Sequence, residues 1–176
     1  MASLPSLLAI LRRRRSIRRY QDKAIPPEVL NILTESLLRS PSSREIRPWS
    51  FVLVEDNDLL GQLSRAKPHG ADFLRDAALG IVICGDSNRS DVWVEDCSIA
   101  AVIAHLTAAS LGLGSCWIQI RQREHDASLS AEAYVQRRLD LPAHIRVLAI
   151  IAVGYPAEEK SGIPFEDLPT DRFTRR

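Results

Sequence analysis

Arg14, Ser16 and Arg18 stand two residues apart inside RRRRSIRR, residues 12–19, where six of eight positions are arginine. An extended segment turns alternate side chains to the same side, so these three can converge on one anion. Guanidinium forks and a hydroxyl suit phosphate oxygens. Three other readings fit the same cluster. Cations are favoured at the C-terminal end of a helix, so Arg12–Arg15 also read as a solvated helix end. A nucleic-acid arm needs a broader basic stripe, and only this cluster and Arg172, Arg175 and Arg176 offer one. An Arg-rich transit peptide is the fourth.

Familiar catalytic patterns do not choose among them. The chain has neither GxGxxG nor GxxxxGK[ST]; GLGSC at 112–116 lacks the third glycine and reads locally as a helix stop entering a buried strand. Asp96 and His105 are nine residues apart on one predicted helix, on different faces, so they form no triad with a marked nucleophile. His69, His105, His125 and His144 lack metal-ligand spacing, and no metal site is expected. Cys84, Cys97 and Cys116 lie in apolar surroundings without a CxxC pair, which predicts buried thiols in a reducing compartment.

The elements that must position the arginines are those of one soluble domain spanning 1–176. Lys plus Arg number 23 against 22 Asp plus Glu, 45% of residues are apolar and 26% are charged. Apolar residues precede the basic run, the reverse of a secretory signal, and no 18-residue apolar stretch exists. A cytoplasmic address, with no membrane partner, is the expectation.

Local pattern predicts helices over 4–11 with Pro5 in the first turn, from Pro26 to Pro41, over 58–66 capped by Asp58 or Asn57, over 92–111 ended by Gly112 and Gly114, and over 130–141. Strands are predicted over 49–54, 78–86, 115–120 and 147–156. The 92–111 helix is apolar around most of its circumference, which predicts burial on more than one side. Strands placed between helices indicate an α/β or α+β layered class. The tail from residue 157 has little periodicity, yet Phe165, Leu168 and Phe173 give it anchors for wrapping a partner.

Four stretches, RRSIRRY at 14–20, SPSSREIRPWSFVLV at 40–54, GLGSCWI at 112–118 and AIIAVGYPAEE at 149–159, resemble, in order and spacing, the FMN-dependent nitroreductase family, in a compact form. The resemblance implies an α+β fold with a central mixed, mainly antiparallel sheet flanked by helices. It implies an intertwined homodimer whose 157–176 tail wraps the partner, without nucleic acid. Arg14, Ser16 and Arg18 would hold the FMN phosphate, and Arg15 would line the flavin side. Pro41, Ser42 and Ser43 would meet the flavin's ring or ribityl region from the other subunit. Gly112, Leu113, Gly114 and Ser115 would bring backbone close to the flavin, Gly114 above all.

The chain departs from the family in two places. The family usually has Asn at the position of Glu45 and Gln at that of Arg47; a carboxylate only accepts hydrogen bonds where an amide also donates. Arg47 is expected to pair with Glu45 and turn it outward. Lys160 is the nominee for the basic residue that relatives carry after GYPAEE. The implied activity passes electrons from NAD(P)H through FMN to a nitroaromatic, quinone or similar electron-poor acceptor, with no catalytic side chain required. The alternative is a flavin-binding or redox-sensing protein without efficient turnover.

Overall fold

A computed structural model describes residues 6–176. Leu4 and Pro5, expected at the start of the first helix, lie outside the described residues. That helix, α1 (Leu7–Arg13), is capped by the Ser6 side chain, which accepts from Ala9 N–H at 3.3 Å. Pro26 and Pro27 open α2 (Pro27–Leu38), because a proline at a helix start loses no needed hydrogen bond. β1 (Trp49–Val54) has its predicted limits. α3 (Asn57–Leu63) is capped by Asp56, not by Asp58 or Asn57: its carboxylate accepts from Leu59 N–H at 2.8 Å. Three consecutive side chains there can cap, and the backbone turn selects the first.

β2 (Leu79–Asp86), α4 (Trp93–Ser110), β3 (Gly114–Gln119), α5 (Ala131–Arg138) and β4 (Ile145–Gly154) follow. Gly112, at φ +76°, ends α4 in the left-handed region. Gly114, expected to help end the helix, is instead the first residue of β3. None of the helices among the described residues is long and apolar enough to cross a membrane.

The sheet runs β1-β2-β4-β3, and all three pairings are antiparallel. A lone parallel bridge, Ser16 to Ser115, adds the arginine segment to the outer side of β3. This is the α+β class with a central sheet between helices. β2 and β4 are central and covered on both faces, which is why their sequences are continuous apolar runs without alternation. Leu33, Ile81, Ile151 and Ala104 join α2 and α4 to one face; Leu60, Val82, Ile150 and Val135 join α3 and α5 to the other. Ala100, Ala101, Ala104 and Ala108 are fully buried, so α4 lies close against the sheet. Its burial on more than one side holds, but Ile99 and Val102 remain exposed. All three cysteines are buried.

Candidate functional site

The end of α1 divides the arginine cluster by backbone direction. Arg14 leaves the helix in an extended conformation while its N–H still bonds Ile10 O at 2.8 Å. Ile17 turns inward, and its N–H donates to Ser115 O at 3.1 Å, pinning the segment to β3. Arg13 reaches the last turn of α4 and donates to Ala109 O at 3.3 Å, a cation on a helix C-terminus. Arg14, Ser16 and Arg18 line one cavity of about 1070 Å³, as their alternation predicts. Arg12, Arg15 and Lys160 line it as well, so among the described residues five cations and no carboxylate line it. Leu8, Leu11, Ile163 and Phe165 supply apolar wall. Such a cavity suits an organic anion with a large flat apolar part.

The chain beyond β4 returns to close this cavity. Glu158 accepts from Arg18 N–H at 2.6 Å and pairs with Lys160 at 3.0 Å. The Arg18 N–H, helped by the Lys160 ammonium, holds the Glu158 carboxyl below the usual carboxylate range. Lys160 also donates to Ser16 O at 2.8 Å, so it joins the tail to the 14–18 segment while facing the cavity. Arg15 donates to Ser161 O. A side chain at Gly162 would overlap the Arg12 carbonyl, so only glycine lets the tail pass here. Glu158 lies within the AIIAVGYPAEE stretch, but nothing local singled it out, because its partner is 140 residues away.

Gly112, Leu113, Gly114 and Ser115 line a separate cavity of about 320 Å³ behind residues 13–17, which Arg14, Arg15 and Lys160 also border. Gly114 does allow a close approach, but the neighbour is Ile17 of the same chain: a Cβ there would lie 2.8 Å from Ile17 Cβ. Beside it, Ser115 Oγ is 2.7 Å from His105 Nδ1, and the imidazole stacks near Trp117. His105 was visible in the sequence only as a helix residue without a partner.

Burial, and then the Arg14 charge, push the His105 pKa down to about 4. An unfolded histidine takes its proton near pH 6.5. The unfolded state therefore binds the extra proton between those values, so this contribution to stability is complete above pH 6.5 and is lost as pH falls towards 4. It amounts to about 3 kcal/mol at most. Thermal melts between pH 7 and 4 should fall less steeply for His105→Gln than for the parent; parallel curves would show that His105 titrates normally in the fold.

Pro41, Ser42, Ser43 and Glu45 lie elsewhere, in the loop between α2 and β1. Ser43 N–H donates to Asp96 Oδ1 at 2.8 Å near the start of α4, and Arg47 N–H donates to Ser42 Oγ at 2.8 Å. Arg44, Glu45 and Arg47 have φ of 52°, 54° and 50°. Each such residue costs about 1–3 kcal/mol and persists only where its surroundings impose it. The expected Glu45–Arg47 pair does not form: among the described residues neither belongs to an ion pair. The loop's left-handed turns orient these residues, and Ser42 takes the Arg47 amide.

This backbone suits asparagine better than glutamate at position 45, since asparagine tolerates the left-handed region. Glu45→Asn should recover part of the roughly 1–2 kcal/mol lost there. Scanning calorimetry should show a melting temperature about 2 °C higher or more; an unchanged value would mean that Glu45 bears no strain.

The two groups of predicted residues thus sit at opposite ends of α4, Ser43 beside Asp96 and the arginine segment beside Ala109. Ala109 stands thirteen positions after Asp96 on the helix, a rise of about 20 Å.

The model of the Nitroreductase family matches residues 11–69 and 60–155. An FMN-dependent nitroreductase from Clostridium difficile R20291 superposes with a TM-score of 0.94 at 40% identity, over 96% of this chain and 98% of that one. A Methanothermobacter thermautotrophicus protein provisionally named an NADH dehydrogenase/NAD(P)H nitroreductase is 34% identical over 86% of this chain and 78% of its own length. An NADH dehydrogenase of Thermus thermophilus is 27% identical over 91% of this chain and 90% of its own.

Proposed function

The chain belongs to the nitroreductase family of oxidoreductases, and from that premise we propose that it binds FMN and takes electrons from NAD(P)H. The observation that carries this reading is the cavity of five cations without a carboxylate, walled on one side by apolar side chains. Arg14 and Arg18 hold the phosphate by charge-assisted hydrogen bonds, and Ser16 adds a hydroxyl. Arg15, on the flavin side, and Lys160 line the same cavity, and Leu8, Leu11 and Phe165 supply its apolar wall. When bound, FMN supplies the hydride chemistry that carries electrons to a nitroaromatic, quinone or similar electron-poor acceptor. Fixed positive charge beside the site favours the added electron density.

Pro41, Ser42 and Ser43 cannot join this cavity within one protomer, because α4 holds them about 20 Å away. A second copy packed antiparallel along α4 brings its loop to the cavity. Val102 stands six residues after Asp96 and seven before Ala109, and it is exposed together with Ile99. A two-fold axis there buries both apolar side chains and places Pro41, Ser42 and Ser43 of the partner subunit beside the arginine segment. The tail residues Phe165 and Phe173, 75% and 88% exposed, then find cover on the partner.

The purified protein should be yellow with a flavin spectrum, and NADH or NADPH should bleach it. A colourless protein that takes up no FMN would overturn the reading; a yellow one that neither nucleotide bleaches would make it a flavin binder. Light scattering and flavin fluorescence across a dilution series should show dimer and FMN lost together. A monomer that keeps stoichiometric FMN would end the shared-cleft arrangement.

A further inference from the structure

The 42–47 loop is strained and depends on its neighbours. Three of its residues are left-handed without being glycine, and its one internal side-chain tie is the Ser42 hydroxyl. Two backbone bonds, Glu45 N–H to Ser42 O at 3.2 Å and Ile46 N–H to Ser43 O at 3.0 Å, close a short turn inside it, and its ties to the rest of the chain come from the turn after β2 and the start of α4. Arg89 donates to Ile46 O at 2.8 Å, Asp91 pairs with Arg44 at 2.8 Å, and Asp96 accepts from Ser43 N–H. The first two lie at the surface. Asp96 is 2% exposed; among the described residues its carboxylate belongs to no ion pair, and its other oxygen receives only a long 3.4 Å contact from the Ser90 hydroxyl. A buried charge is costly unless it is hydrogen-bonded. Asp96 lies in the first turn of α4, so its Oδ1 is held by the helix where it meets the amide at the start of the loop.

We propose that Asp96 is a positioning residue: through Ser43 N–H it sets the loop so that Pro41, Ser42 and Ser43 present themselves to the ring portion of the flavin in the neighbouring subunit. This rests on the shared-cleft reading of the site. Asp96 does not touch the arginine cavity, which begins at the other end of α4. Its influence therefore falls on the ring half of the ligand and spares the phosphate half.

Riboflavin, which lacks the phosphate, separates the halves. Dissociation constants for FMN and riboflavin are measured by fluorescence quenching on the full-length parent, Asp96→Ala, Asp96→Asn and Arg18→Ala, each well below its melting temperature. Asp96→Ala should weaken both ligands by the same factor, about tenfold or more, as for a lost charge-assisted hydrogen bond. Asp96→Asn keeps an acceptor for Ser43 N–H and should recover most of that loss. Arg18→Ala should weaken FMN alone. A purely structural Asp96 predicts a lower melting temperature with both dissociation constants unchanged, which would overturn the proposal, as would a loss confined to FMN. If Asp96→Ala does not fold, Arg89→Ala loosens the exposed end of the same loop. An equal loss for both flavins then supports the positioning role, and unchanged constants overturn it. A parent protein that binds neither flavin defeats the flavin reading first, and the role of Asp96 falls with it.

Discussion

Replacing Arg14 and Arg18 together by alanine should weaken FMN binding by at least about 100-fold and leave riboflavin binding nearly unchanged. Each charge-assisted contact is commonly worth about 1.5–3 kcal/mol, and two such contacts to one phosphate reinforce each other. Neither guanidinium belongs to an ion pair among the described residues, so their removal leaves no buried carboxylate behind. Arg18 lies 5.7 Å from the Phe73 ring centroid, a surface contact of small energy. The melting temperature of the flavin-free protein should therefore change little. Burial is the main cause of the low His105 pKa, and losing Arg14 removes the charge that adds to it, so His105 should titrate higher in the double variant. Equal FMN dissociation constants for variant and parent would take both arginines out of the site.

Gly114→Ala should damage fold and site together. Its new Cβ meets Ile17 Cβ, Cγ1 and Cγ2 at 2.8–2.9 Å, well inside ordinary contact. Overpacking of this kind costs about 1–3 kcal/mol. The backbone can relieve it only by pushing residues 14–18 away from β3, which opens the Ile17 N–H to Ser115 O hydrogen bond. That same displacement moves Arg14, Ser16 and Arg18, so FMN affinity should fall about tenfold, in proportion to one lost charge-assisted contact. Adding Ile17→Ala removes two of the three opposing atoms. Urea unfolding of the double variant should then show less destabilisation than the sum of the single changes, with a coupling of about 0.5 kcal/mol or more. Strict additivity, or full FMN affinity in Gly114→Ala, would mean that this close approach does not hold residues 14–18 in place.

Much of the architecture was legible locally. Trp49–Val54 declares a strand by its β-branched and aromatic residues, and Pro26–Pro27 declares a helix start by the amide protons they lack. The α4 sequence is apolar around its circumference because its neighbours are a sheet face and α2. Asp56 was harder to read, since EDND offers adjacent caps of similar chemistry and only the backbone angle distinguishes them.

By itself the sequence determined the elements, their order, the layered α+β class, and the alternation that turns Arg14, Ser16 and Arg18 to one side. Those follow from side-chain period, proline and glycine geometry and β-branching, all properties of near neighbours in the chain. Only the tertiary structure decided the division of labour among the arginines, because Arg13 finds Ala109 while Arg14 finds a cavity, and those partners are distant in sequence. It likewise decided that Gly114 makes room for Ile17, that Glu158 holds the Arg18 amide, and that Asp96 anchors a left-handed loop. It also placed the serines and the arginines at opposite ends of one rigid helix. A contact between residues far apart in the chain depends on where the packed core carries each backbone, and no local preference contains that information.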